Sequence, residues 1–153
     1  MFTRLSISGV LLILFLLSGA AIAAEPVKPG SRDRCPVCGM FVQPYPDWLA
    51  TMSFGDDTHL FFDGPKDLMR YYFSMPDLRR TQISDMYVTD YYTTELKPVA
   101  ELFFVLGSDV YGPMGKELVP ITGLETAQTF QRDHQGRQIL KFDQLTPQSL
   151  PTD

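Results

Sequence analysis

With 153 residues, 44% of them hydrophobic and 20% charged, the chain has room for one ordinary domain or two very small ones, and it is too apolar for a disordered tail. Its 13 basic and 18 acidic residues leave a net charge of −5, and the basic residues are scattered, with Arg79-Arg80 the longest cluster. That excludes the basic patch a nucleic-acid binder needs, so no nucleic-acid partner is expected.

Residues 1–23 read as a cleaved signal peptide. Arg4 is the only charge before Glu25, Val10 to Leu17 is an unbroken apolar run, and Ala21-Ile22-Ala23 offers the small-x-small pattern of a cleavage site. The run is too short to span a bilayer comfortably. No cysteine follows it to be lipidated. We therefore expect a periplasmic protein that is not a lipoprotein and has no direct lipid anchor. Residues 24–34, with two prolines, a glycine and several charges, read as a flexible lead-in.

Beyond them, Trp48, Ala50, Met52 and Phe54 alternate with Leu49, Thr51 and Ser53, which predicts a strand. Gly55-Asp56-Asp57 is a turn, and Thr58 to Phe62 a second strand. Asp63 is placed to cap a helix with Pro65 in its first turn, Leu68, Met69, Tyr72 and Phe73 on one face, and Met75-Pro76 at its end. Asp85 to Tyr92 predicts a third strand. The order then repeats. Ala100 to Leu106 is a strand, Gly107-Ser108-Asp109 a turn, and Gly112-Pro113-Met114-Gly115 a loop before a strand at Leu118 to Ile121. Thr122 and Glu125 predict a capping box, Leu124, Ala127 and Phe130 an apolar helix face, and Gly136 its C-terminal cap. Gln138 to Phe142 predicts the last strand, and 147–153 a frayed tail. Both halves read strand–strand–helix–strand. The expected fold class is α+β, with two homologous ββαβ units at 35–95 and 96–146 packed into one compact body, because neither half alone buries an adequate core.

The chemistry concentrates in Cys35-Pro36-Val37-Cys38-Gly39-Met40, which holds both cysteines of the chain. Thiolate and thioether are soft donors, and soft donors select Cu(I). Gly39 lets the backbone turn so that Cys38 and Met40 can face one ion. Met114, between Pro113 and Gly115, stands outside any apolar period, whereas Met52, Met69 and Met86 fall on core faces. Two other readings of the Cys-x-x-Cys stand beside a metal site: a structural disulfide and a thiol–disulfide redox pair. A redox pair of the thioredoxin type needs a helix after the motif, which Pro44 and Pro46 oppose. Structural zinc needs four nitrogen or sulfur ligands, and there is no second Cys-x-x-Cys. His59 reads as a surface residue. His134 suits a helix C-terminus and is also a candidate copper ligand. The catalytic motifs of hydrolases, P-loop enzymes and zinc proteases are missing, so we expect no enzyme.

Several spaced motifs resemble the NosL family, copper chaperones for nitrous oxide reductase maturation. They are Cys-Pro-Val-Cys-Gly-Met (35–40), Tyr-Pro-Asp-Trp (45–48), Phe-Asp-Gly-Pro-Lys-Asp (62–67), Asp90-Tyr91-Tyr92-Thr93, Gly107-Ser108-Asp109-Val110 with Gly112-Pro113-Met114-Gly115, and Asp133-His134. The resemblance implies a periplasmic Cu(I) carrier with Cys38, Met40 and Met114 as first ligands; one sulfur-rich motif plus one loop methionine predicts one Cu(I) per chain, and we expect a monomer. It implies apo nitrous oxide reductase and a membrane ABC-type copper/sulfur maturation complex as partners. Two departures stand out: many members are lipoproteins, and many carry only the cysteine matching Cys38. Cys35 is then either a further ligand or a disulfide partner of Cys38. The alternative function is a periplasmic thiol–disulfide oxidoreductase using the same pair.

Overall fold

The computed structural model describes residues 26–152, so the expected signal segment lies outside the described residues. The first module begins with a 3-10 turn at Pro46–Trp48, where a proline without an N–H is tolerated, so Trp48 stands before the strand and not in it. Strands β1 (Ala50–Phe54) and β2 (His59–Phe62) form an antiparallel hairpin. Its turn is set by Asp57 at φ 60° and by Asp56, whose Oδ1 accepts the Thr58 N–H at 3.1 Å. Helix α1 (Pro65–Ser74) and the short α2 (Asp77–Arg80) lead to β3 (Ile83–Thr89), which pairs with the free side of β1. Strand β4 (Leu96–Pro98) adds to β3, giving the order β2-β1-β3-β4. The division expected between residues 95 and 96 thus falls just before a strand of the first sheet.

The second module repeats the path with β5 (Leu102–Gly112), β6 (Gly115–Thr122), α3 (Leu124–Asp133) and β7 (Gln138–Lys141), in the order β6-β5-β7. Gly107-Ser108-Asp109 is not the turn expected from its composition. It is an irregularity within β5, with Gly107 at φ 72° and a register shift between Leu106 and Tyr111. The reason is local: the Asp109 N–H is taken by the His134 carbonyl and the Leu106 carbonyl by the Arg137 N–H, so the chain after α3 docks there. The true reversal is the pair Gly112–Gly115, which puts Pro113 and Met114 at the hairpin tip.

One apolar cluster draws on both modules: Met52, Phe62, Leu68, Leu102, Phe104 and Leu118 are all fully buried in it. Each such side chain contributes roughly 1.5–3 kcal/mol on burial. A second cluster, with Ala127 and Phe130 of α3 over Val105, Val119 and Ile121, receives Trp48 and Tyr91 from the first module. Asp90 ties the modules through its carboxylate, whose Oδ1 accepts the N–H groups of Tyr92 and Thr93 and whose Oδ2 accepts that of Thr122 at 2.6 Å. The segment after Thr146, expected to fray, is held down. Pro147–Ser149 form a 3-10 turn, Leu150 packs on the main core, and the Arg70 guanidinium donates to the Pro151 carbonyl at 3.0 Å. The result is an α+β fold of two sheet-and-helix modules.

Candidate metal centre

The motif at 35–40 forms a small closed loop ahead of the first module. The Cys35 N–H donates to the Met40 carbonyl at 2.9 Å and the Gly39 N–H to the Cys35 carbonyl at 2.8 Å. Gly39 sits at φ 79°, a left-handed conformation that favours glycine. An isolated bridge between Arg34 and Phe41 closes the base, with the guanidinium 3.6 Å above the ring. The chain then runs through a bend into the 3-10 turn, so the motif lacks the helix that a thioredoxin-like redox pair requires after it.

This loop lies against the start of α1. The Cys35 thiol donates to Asp67 Oδ2 at 3.3 Å, and the Cys38 thiol to Asp63 Oδ1 at 3.2 Å. One ligand atom from each of Cys35, Cys38, Asp63 and Asp67 lies within 4.8 Å of the others, close enough to surround one ion at bond lengths of about 2.0–2.3 Å. Cys35, Asp63 and Asp67 are buried, while Cys38 is partly exposed. Both cysteines are free thiols. Asp67 also faces the Arg70 guanidinium at 3.5 Å.

The electrostatics keep both thiols protonated when no cation is bound. Burial pushes the Cys35 thiol well above its ordinary value, although the N–H groups of Cys38 and Val37 work against it. Cys38 is pushed up to about 11, chiefly by burial, with the Met40 N–H opposing and the Asp63 carboxylate adding to the rise. N–H groups aimed at sulfur are what a metal-bound thiolate requires once a cation replaces the proton.

Of the other residues singled out in the sequence, Met40 is partly buried and lines, together with Cys38, Arg34 and Tyr45, one shallow surface cavity. Met114 is partly buried at the β5–β6 tip, and its carbonyl accepts a hydrogen bond from Lys66 Nζ at 2.7 Å. That contact sets the tip against the first turn of α1, between the two carboxylates in sequence. His134 is not a member of the thiol–carboxylate group. It caps the end of α3, stacks on Phe130 at 4.2 Å between centroids, and meets Asp109 Oδ1 through Nδ1 at 3.0 Å.

Asp63 and Asp67 belong to the site although the sequence does not single them out as ligands. Asp63 is expected to cap α1, but the N-cap is Gly64 and the carboxylate is spent on Cys38. The available signal is the motif Phe-Asp-Gly-Pro-Lys-Asp, in which both acids flank a glycine and a helix start.

The crystal structure of the copper chaperone NosL from Shewanella denitrificans superposes with a TM-score of 0.71 at 19% identity, over 82% of this chain and 99% of that one. The solution structure of apo-NosL from Achromobacter cycloclastes gives 0.49 at 23% identity, over 66% of this chain and 87% of that one. Comparison with curated protein sequences finds no match. The family model described as NosL matches residues 26–150, nearly the whole described chain, and the protein belongs to the NosL family.

Proposed function

We propose that this chain is a periplasmic Cu(I) carrier, not an enzyme, and that it supplies copper for the copper centres of nitrous oxide reductase. The observation that carries the reading is the pair of free thiols, each hydrogen-bonded to a buried carboxylate, gathered within 4.8 Å in one niche. The Shewanella denitrificans protein that shares the fold is itself a copper chaperone. Cys35 and Cys38 supply thiolate, Met40 and Met114 thioether, and this soft set favours Cu(I) over harder cations. Asp63 and Asp67 accept the thiol hydrogen bonds and so orient the sulfurs. His134, engaged by Phe130 and Asp109, ranks last among the candidate ligands. On this reading the chain acts as a monomer, receives or passes copper at a membrane ABC-type complex, and delivers it to the apo-reductase. We also read the two modules, with their matching strand orders, as copies of one ββαβ unit.

The oxidoreductase alternative has less support. An attacking thiol works as the thiolate, and a Cys38 thiol pushed up to about 11 is almost wholly protonated at neutral pH. The carrier reading is tested by titrating anaerobically reduced protein with Cu(I) against a competing chelator. One Cu(I) per chain, held more tightly than Zn(II), is expected. Two tight ions per chain, or preference for Zn(II), would sink it.

A further inference from the structure

Lys66 is completely buried, which is costly for an ammonium group unless firm partners compensate. Its Nζ donates to the Met114 carbonyl at the β5–β6 tip, 2.7 Å away. Its backbone N–H donates to Glu117 Oε1 at 2.6 Å, and that same oxygen accepts the Leu118 N–H at 2.9 Å. Glu117 therefore reaches across from β6 and serves the first turn of α1, whose own N-cap is a glycine without a capping side chain. Two glycines make room for it. A Cβ on Gly64 would lie 2.3 Å from Glu117 Oε2, and one on Gly112 would lie 3.1 Å from the same side chain. Gly64 has extended backbone at φ −170°, which any residue adopts, so it is glycine for space and not for conformation.

Lys66 and Glu117 thus join two things that chain connectivity leaves apart: the start of α1, flanked by Asp63 and Asp67, and the hairpin tip carrying Met114. We propose that Lys66 and Glu117 are positioning residues, a clasp between the modules that holds Met114 against the thiol–carboxylate group and so fixes its contribution to metal binding. The inference rests on Met114 being a ligand, as proposed for the carrier. The clasp itself touches the cation with neither side chain.

The test uses reduced protein titrated with Cu(I) against a chelating competitor, as wild type, Lys66→Leu, Met114→Ala and the two combined. Lys66→Leu should weaken Cu(I) binding about tenfold, in the range usual for residues that orient a ligand. Met114→Ala should weaken it at least as much, and the combination should be no weaker than Met114→Ala alone. X-ray absorption of the Lys66→Leu complex should show the same loss of a thioether sulfur as Met114→Ala, with the thiolate sulfurs kept. A general loss of packing would not produce that signature. If Lys66→Leu fails to fold, Lys66→Gln, a neutral side chain too short to hold the Met114 carbonyl as Lys66 does, takes its place. It must then give the same Met114-dependent loss. The clasp is overturned if the Lys66 effect is equal with and without Met114, or is nil while Met114→Ala still weakens binding. If Met114→Ala binds Cu(I) as tightly as wild type, the ligand reading itself fails and the clasp falls with it.

Discussion

The two main helices start in the same way and are used differently. Both α1 and α3 follow a hairpin, and both have glycine at the N-cap with no side-chain cap, Gly64 and Gly123. At α1 the first turn, Pro65 through Met69, is wholly buried, its N-terminus is served by Glu117 from the other module, and the adjacent acids are turned to the thiols. At α3 the first three residues, Leu124 through Thr126, are exposed, and Gly123 holds φ 85° with only ordinary contact around it. A helix start can therefore be given over to a site when another element supplies its cap. The second module keeps an ordinary surface helix and contributes scaffold and one hairpin tip.

The largest expected effect separates the modules by ligand chemistry. Cys38→Ser should cost more than about a hundredfold in Cu(I) affinity, beyond what an orienting residue costs, while His134→Ala should cost less than about threefold. Competition titration reads both, and equal losses would move the site toward α3. Next in size is a pH effect. Burial pushes the Glu117 carboxyl up to about 8, against 4.5 for the ordinary group. The unfolded chain then releases this proton first, so the folded state binds more protons between those values. Its contribution makes stability fall as pH rises from about 4.5 to 8, by something on the order of a few kcal/mol. Urea unfolding across that range should show the fall in wild type and a flatter profile in Glu117→Gln, which keeps an acceptor oxygen and cannot ionise.

A smaller effect compares the two glycines directly. Gly64→Ala drives a methyl group into Glu117 and should cost about 2–3 kcal/mol in unfolding free energy. Gly123→Ala, strained only by its positive φ, should cost about 1 kcal/mol. The reverse order would mean that the carboxyl moves freely. The smallest concerns Glu125, read from sequence as half of a capping box. Since Gly123 is the N-cap and the Thr122 N–H goes to Asp90, Glu125→Ala should change stability by less than about 0.5 kcal/mol.

The same residues mark what a sequence discloses and what it hides. The α+β class, the strand and helix order and the sulfur motif are legible because each is written in neighbouring residues: alternation in Ala50–Phe54, the apolar face of Leu68 and Met69, the spacing of Cys35, Cys38 and Met40. Asp63 and Thr122 mislead because local capping is the commonest use of such residues, and their actual partners are Cys38, 25 residues away, and Asp90, 32 away. Gly107-Ser108-Asp109 has turn composition, but the chain after α3 satisfies its backbone and β5 runs on. Glu117 carries no signal at all, since a lone acid at alternating spacing reads as a solvent-facing strand residue and only the fold reveals that it is enclosed.

The unequal exposure of the two sulfurs sets an order of events for any hand-over of cargo. Cys35 is 1% exposed, whereas Cys38 opens onto the surface cavity shared with Met40. In the proposed carrier, an incoming donor atom would meet the Cys38 side first, and Cys35 would be the last grip released. Exchange along that path would be stepwise and one-sided, with the cargo leaving past Cys38.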